Sequence, residues 1–197
     1  MSLGISLTIK GQRLGIGPWD VLHVGLFQNV GLTIGSWSIL TGLLIVTTTS
    51  IALKEWPRWG TWLNMLVIGL FIDFFNWLLP DVTSLVAQGS CFVLGVLVLA
   101  YGIGIYVSPN LGAGPRDSLM LLIVDKLGWS LRTARTTIEA IVTIVGFILG
   151  GPVGIGTLFV VLFIGQFIQI AMPQCKKLLL WITDQQDEKV LLRYKGA

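Results

Sequence analysis

The stretch Leu14-Gly15-Ile16-Gly17-Pro18-Trp19-Asp20 returns 97 positions later as Leu111-Gly112-Ala113-Gly114-Pro115-Arg116-Asp117. Five of the seven residues are the same in both copies: the leucine, the two glycines, the proline and the aspartate. Each copy precedes a short apolar run that ends at a further shared glycine, Gly31 or Gly128. Self-similarity at a fixed spacing is the mark of a repeated structural unit, so we interpret the chain as one unit duplicated.

The composition indicates that this repeated unit lies in a lipid bilayer. Of the 197 residues, 54% are hydrophobic and only 12% are charged, which is about half the charged fraction of a soluble domain. Several segments of 17 to 22 residues carry at most one charge each, and such segments are long enough to cross a bilayer as helices. We therefore predict an all-α membrane protein. The net charge of +3 does not indicate nucleic-acid binding, because the basic residues lie at the ends of the apolar segments.

The two runs that follow the repeated turns are too short to cross a membrane. Pro18–Val30 and Pro115–Leu127 have 13 residues each, and a helix of that length measures about 20 Å against a hydrocarbon core of about 30 Å. Each run is therefore predicted to be a half-helix that enters the membrane and stops, or that lies re-entrant against other helices.

The other apolar segments predict three spans in each half of the chain. They are Met1–Ile9, Ser36–Leu53 and Thr61–Leu79 in the first half, and Val86–Val107, Arg132–Leu149 and Thr157–Met172 in the second. Gly60–Ile72 and Gly156–Ile168 share seven of thirteen residues, which supports the duplication. The first repeat is thus residues 1–79, the second is 86–173, and 174–197 form a polar, basic tail. The first segment is shorter than its counterpart by roughly ten residues, so we expect a truncated first helix.

The number of spans decides how the two halves are related. Halves with three spans each run through the bilayer in opposite directions, whereas four spans each would make the halves parallel. Lysine and arginine favour cytoplasmic loops. With the tail in the cytoplasm, the three-span arrangement leaves only Lys10 and Arg13 on the outer side. We therefore predict two inverted repeats of three transmembrane helices, each with an additional half-helix, and both termini in the cytoplasm.

Both turns carry residues suited to starting a helix inside a membrane. Glycine permits backbone angles that other residues resist, and proline suits the first position of a helix because its missing N–H would have no partner there. The aspartate then falls at the third position, where its carboxylate can accept hydrogen bonds from free N–H groups and offset the positive helix end. In membrane transporters, broken helices of this kind commonly build the substrate site.

Two interpretations stay open for the aspartates of the turns: they only cap two buried helix starts, or they also mark a ligand site. The second turn alone carries a cation, since Arg116 stands where the first has Trp19. Arg116 either pairs with Asp117, holds an anionic group, or is a cytoplasmic residue of the positive-inside type. The candidate ligand-binding residues are Gly15, Gly17, Pro18 and Asp20 in the first turn, Gly112, Gly114, Pro115, Arg116 and Asp117 in the second, and Asp73 and Glu139 within spans.

Asp73 and Glu139 are included because a carboxyl group in lipid must pair, protonate or meet water. Glu139 also has a structural explanation, since Arg135 lies four residues before it on the same helix face. The single histidine, His23, is interpreted as a packed or hydrogen-bonded residue rather than a metal ligand. No metal site, cofactor or catalytic residue is expected, because the sequence has no Ser/His or Cys/His arrangement and no phosphate-binding loop.

Three stretches together resemble the YczE/YyaS/YitT family of bacterial multi-pass membrane proteins, and the YczE-like branch most. These are Gly15–Leu22, the segment from Gly60 to Asp73, and the second turn. The resemblance covers most of the chain and implies an integral protein of the bacterial plasma membrane. It implies no reaction, because the family as a whole lacks an agreed biochemical activity.

Two function classes follow. The first is a small secondary transporter or permease that holds a small molecule or an ion between the two turns. The second is a non-transporting scaffold or accessory protein that binds a lipid or a protein partner, for example through basic residues of the tail. An enzyme is not expected. Association of copies of the chain is left open. A cavity reached by solvent at both aspartates favours transport, and a dry, filled interface favours the scaffold.

Overall fold

The computed structural model describes residues 1–107 and 114–182, and in that part of the chain all regular secondary structure is helical. Both half-helices, α2 and α6, have the bounds that the sequence predicts. The helices are α1 Ser2–Lys10, α2 Pro18–Val30, α3 Ile34–Leu53, α4 Trp59–Leu78, α5 Leu85–Val107, α6 Pro115–Leu127, α7 Leu131–Ile148 and α8 Ile155–Ile182. A short 3-10 turn, Gln12–Leu14, precedes the first repeated turn.

Four of these helices, α3, α4, α5 and α8, are long and apolar enough to cross a membrane. They include four of the six predicted spans. The other two predicted spans, α1 and α7, do not meet this description. Helix α1 is short, with nine residues. Helix α7 carries two arginines and a glutamate in its first three turns. The described part of the chain is therefore all-helical and has the helix lengths and composition of a multi-pass membrane protein.

Helix α1 packs against α5 and α4. It is antiparallel to α5 and parallel to α4. Gly4 lies against Gly95 and Leu99 of α5, whereas Gly11 lies against Gln88 and Phe92. An advance of seven residues along α1 thus corresponds to a retreat of seven along α5, so the two helices are antiparallel. Glycine allows this close approach because it has no Cβ atom.

Helix α1 is parallel to α4. The hydroxyl of Ser2 donates to the Ile68 carbonyl at 3.1 Å, and the Ser6 hydroxyl donates to the Ile72 carbonyl at 3.2 Å. At its end, Lys10 donates to the Asp81 carboxylate at 2.6 Å. This hydrogen bond lowers the pKa of the exposed Asp81 carboxyl group, and the nearby ammonium charge adds to the effect. Lys10, one of the two exceptions in the predicted charge pattern, therefore has an acidic partner in the α4–α5 connection.

The half-helices pack across the two halves of the chain. Helix α2 of the first half packs on α7 of the second, and α6 of the second packs on α3 of the first. Gly146 of α7 approaches the backbone of Val21 and Leu22 so closely that an added Cβ would clash. The two halves of the chain are thus interleaved rather than separate bodies.

Both ends of α2 lie against the α7–α8 connection. Before α2, Gly15 has a positive φ of 97° and packs against Gly154. Near its end, the Asn29 side-chain amide donates to the Leu149 carbonyl at 2.5 Å. Since Leu149 and Gly154 belong to one short connection, the chain enters and leaves α2 near the same part of the structure.

Helix α8 is longer than the sequence suggests. The predicted span ends at Met172 and the predicted tail begins at residue 174, but the helix continues through Pro173 to Ile182. A proline removes one backbone hydrogen bond without ending a helix when the freed carbonyl finds another partner. Residues 183–197 of the predicted tail lie outside the described residues.

Candidate functional site

A cavity of about 430 Å³ opens between helices of both halves. Its walls are mostly apolar. The charged side chains in the lining come from the start of α6 and from α7, and α3, α4 and α5 add uncharged polar side chains. The lining residues include Ser38, Thr41, Ile45, Asn64, Met65, Ile68, Ile103, Tyr106, Gly114, Pro115, Arg116, Asp117, Arg135, Ile138, Glu139 and Ile168. An enclosed apolar space with a few converging polar groups is the usual form of a small-molecule site.

Arg116 is the cation at which the two repeated turns meet. Its guanidinium lies over the Trp19 ring, 5.2 Å from the ring centroid, which is within the range of an attractive cation–π contact. One of its nitrogens, Nη2, is 3.9 Å from Oδ1 of Asp20. That separation is an ion pair without a hydrogen bond. Arg116 therefore faces the first turn, in the other half of the chain.

Two further acidic groups at the cavity have partners of their own. Tyr106 of α5 donates its hydroxyl to Oδ2 of Asp117 at 2.5 Å. Nε of Arg135 donates to Oε1 of Glu139 at 2.9 Å, so the predicted i, i+4 pair is confirmed. Both pairs face the cavity, because all four residues are part of its lining.

Asp20 lies behind Arg116 and is almost completely buried. The residue is only 3% exposed, and its Oδ1 atom has no hydrogen-bond partner. The expected hydrogen bonds from first-turn N–H groups to this oxygen are thus not formed. Gly17 makes room for the carboxylate, since a Cβ at Gly17 would lie 2.7 Å from Oδ2 of Asp20. Burying a carboxylate with one loose partner is costly, so this position is unusual for a purely structural residue.

His23 lies one turn further along α2 and is hydrogen-bonded, as the sequence predicts. Its Nε2 is 2.9 Å from the Thr41 hydroxyl, and that hydroxyl donates to backbone carbonyls of its own helix. His23 must therefore donate from Nε2, which leaves Nδ1 as a buried acceptor without a partner.

The structure places the described site residues of the two turns, together with Glu139, in three locations. Five of them line the cavity: Gly114, Pro115, Arg116, Asp117 and Glu139. Gly17, Pro18 and Asp20 are buried at the start of α2 behind Arg116. Gly15 lies apart from the cavity, against Gly154 and Thr157 at the start of α8. Gly112 lies outside the described residues.

Asp73 is not part of this cluster. It accepts hydrogen bonds from the Thr33 hydroxyl at 2.5 Å and from the Gly35 N–H at 2.7 Å. The carboxylate thus satisfies free donors at the start of α3, which is a common structural use of an acidic side chain at a helix N-terminus. Asp73, a predicted site residue, therefore lies at the start of α3 and is not among the residues that line the cavity.

The sequence reasoning did not identify Trp19 and Tyr106 as site residues. Trp19 occupies the position in the first turn that Arg116 occupies in the second, and this correspondence was the signal in the sequence that links the two residues. Tyr106 lies at the end of α5, where a tyrosine is typical of the membrane interface. Only its hydrogen bond to Asp117 distinguishes it from an interfacial residue.

The fold and the site together define a multi-pass helical membrane protein with a polar cluster inside it. Residues 1–173 match the family described as "Family of unknown function (DUF6198)", and the chain belongs to this family. No solved structure is a significant match.

Three bacterial proteins are similar to this chain in sequence. "Uncharacterized membrane protein YczE" of Bacillus subtilis (strain 168) is 46% identical over 179 residues, which are 91% of this chain and 83% of the relative. "Uncharacterized protein YyaS" of the same organism is 32% identical over 88% of this chain and 87% of its own. An "Uncharacterized protein" of Haemophilus influenzae is 35% identical over 79% and 71%. The resemblance to YczE and YyaS is thereby confirmed.

Proposed function

We propose that the chain is a small secondary transporter of the bacterial plasma membrane, with its substrate site between the two half-helix starts. The observation that carries this proposal is the meeting of the two turns at one cavity. Arg116 of the second turn lies on Trp19 and beside Asp20 of the first, and it faces a space of about 430 Å³. A cavity bounded by broken helices from two repeats is the common design of such transporters.

Two features support inverted repeats within this proposal. The first helices of the two repeats, α1 and α5, are antiparallel, as Gly4 and Gly11 indicate. The contacts between the halves also come in equivalent pairs. Helix α2 packs on α7, and α6 packs on α3. Because α2 corresponds to α6 and α7 corresponds to α3, these two contacts are equivalent. Exchange of the halves by a two-fold axis in the membrane plane accounts for both features. With three spans in each half both termini lie on the same side of the membrane, and the distribution of lysine and arginine favours the cytoplasm for that side.

Transport is tested by uptake into lipid vesicles that contain the purified protein, with a panel of labelled small metabolites. The wild type is compared with Asp20→Asn, Asp117→Asn and Arg116→Gln. Asp125→Asn is the matched control, since Asp125 lies on α6 but outside the cavity. We expect uptake of at least one compound by the wild type and the control, and reduced uptake by the three site variants. Equal uptake by protein-free vesicles would contradict the proposal.

The accessory-protein alternative is less well supported by the cavity. A scaffold has no need of an internal cavity lined by charged side chains, and Asp117 faces that cavity directly. A cavity that solvent reaches at both aspartates was the predicted sign of transport. Asp20 meets this criterion only in part, because it is buried and lies behind Arg116.

A further inference from the structure

We infer that the cavity takes a small organic monoanion with an apolar body, and that binding of this anion to Arg116 places a proton on Asp20. The inference rests on the proposed function, whose site it uses, and it adds the substrate class and the coupling ion. Each anion would then be carried together with one proton, with no net charge moved.

The choice of an anion follows from the position of Arg116. Trp19 covers one face of the guanidinium, while Arg116 itself lines the cavity with a side chain that is 31% exposed. The planar edge of an arginine is suited to a carboxylate, which it can bind with two parallel hydrogen bonds. The loose contact to Asp20, at 3.9 Å, leaves these donors available to a better acceptor.

The apolar body follows from the rest of the lining. Apolar side chains form most of the wall, among them Ile45, Met65, Ile68, Ile103, Ile138 and Ile168. The other polar pair on α7, Arg135 with Glu139, is already closed by a hydrogen bond at 2.9 Å. A single negative group on a hydrocarbon body therefore matches the cavity better than a dianion or a sugar does.

The proton follows from charge balance at Asp20. While Arg116 faces Asp20, the two charges compensate each other. When an anion takes over the guanidinium, Asp20 remains as a carboxylate that is 3% exposed and has no hydrogen bond to Oδ1. A buried and uncompensated charge is strongly disfavoured, and protonation from bulk water removes it. The anion adds one negative charge and the proton one positive charge, so the site keeps its total charge.

The charged and titratable groups around Asp20 leave it as the best proton acceptor. Asp117 on α6 already accepts from Tyr106 of α5 and faces the cavity, where water can solvate it. Glu139 on α7 is bonded to Arg135. His23 on α2 has a free acceptor, Nδ1, but a proton there would create a further buried charge, whereas a proton on Asp20 removes one. Among the described residues, only Asp20 would lose its sole ionic partner when Arg116 is engaged.

The test measures anion binding and proton uptake in the same sample. Purified protein in nanodiscs is titrated with hexanoate by calorimetry in two buffers of different ionisation enthalpy, and empty nanodiscs correct for partition into lipid. Hexanamide, the neutral isostere, and inorganic phosphate are the matched alternative probes. We expect saturable binding of hexanoate alone, with uptake of about one proton per bound anion.

Three variants assign the roles. Arg116→Gln should weaken hexanoate binding by about tenfold to a hundredfold, the size expected for a lost charged hydrogen bond. Asp20→Asn should keep the binding and lose the proton uptake. Asp125→Asn, on α6 but outside the cavity, should keep both. The proton count of the wild type needs no variant, so a variant that fails to fold does not block the test.

Several results would overturn the inference. They are no saturable binding of hexanoate, equal binding of hexanamide, binding by the wild type without proton uptake, and uptake that persists in Asp20→Asn. Failure of transport is a separate result: proton-coupled binding without vesicle uptake would remove the transporter proposal and leave this inference standing. Vesicle uptake of another class of compound, without proton-coupled binding of hexanoate, would remove this inference and leave the transporter proposal standing.

Discussion

Asp20 is a buried carboxylate whose ionic partner comes from the other half of the chain. Such a pair contributes less to stability than its charges suggest, because both groups have lost part of their hydration. Removing one partner is nevertheless costly, since the other remains buried and uncompensated. At the residue scale, the Asp20–Arg116 pair is therefore the most informative contact between the two repeats.

A double-mutant cycle measures this contact. Asp20→Asn and Arg116→Gln each remove one partner, and the double variant should be more stable than the sum of the two losses implies. We expect a coupling of about 1 kcal/mol or more, the usual size for residues in direct contact. Unfolding by SDS titration in mixed micelles gives the free energies. Asp20→Asn combined with Arg135→Gln is the control pair, because Arg135 is bonded to Glu139, and it should be additive. Additivity of both pairs would contradict the contact.

Asp73 should behave as a capping residue with no role at the cavity. Asp73→Ala removes the acceptor for Thr33 and Gly35 at the start of α3, so we expect a loss of about 0.5–2 kcal/mol in stability. Hexanoate binding and its proton uptake should stay unchanged in the same protein. A stable Asp73→Ala protein with altered binding would return this residue to the site.

At the scale of elements, glycines decide how closely the half-helices approach their neighbours. A Cβ at Gly146 would lie 2.5 Å from the backbone nitrogen of Leu22, whereas a Cβ at Gly165 of α8 meets nothing within 4 Å. We expect Gly146→Ala to cost about 1–3 kcal/mol through overpacking of α2 on α7. Gly165→Ala should be neutral or slightly stabilising, because alanine favours a helix over glycine. Equal effects of the two changes in SDS unfolding would show that α2 does not pack on α7 as described.

Helix bounds were predictable where the sequence marks them. The half-helices begin at Gly-Pro and end at Gly31 and Gly128, both with positive φ, so their limits are set by backbone chemistry that the sequence displays. The end of α8 was not predictable, because Pro173 and the following polar residues are typical of a helix stop and the helix continues through them.

The cluster at the cavity was predictable only in part. The turns were recognisable from the repeat, and the Arg135–Glu139 pair from its spacing. The contacts that join distant segments were not, because Tyr106 with Asp117 and Trp19 with Arg116 form only when α5, α6 and α2 are packed together. Asp73 was misplaced for the same reason, since its partners belong to α3.

At the scale of the whole molecule, the proposed site depends on the direction of the two halves in the bilayer. Positions 28 and 125 are equivalent under the 97-residue repeat, near the ends of α2 and α6. Both side chains, Gln28 and Asp125, are exposed. Inverted repeats put these two positions on opposite faces of the membrane, whereas parallel repeats put them on the same face.

Labelling of single cysteines tests this most directly. Gln28→Cys and Asp125→Cys are made separately in a chain whose own Cys91 and Cys175 are replaced by serine, and a membrane-impermeant maleimide is applied to intact cells and to inverted membrane vesicles. We predict that Cys at position 28 is labelled in cells and Cys at position 125 only in inverted vesicles. Labelling of both positions from the same side would contradict the inverted arrangement.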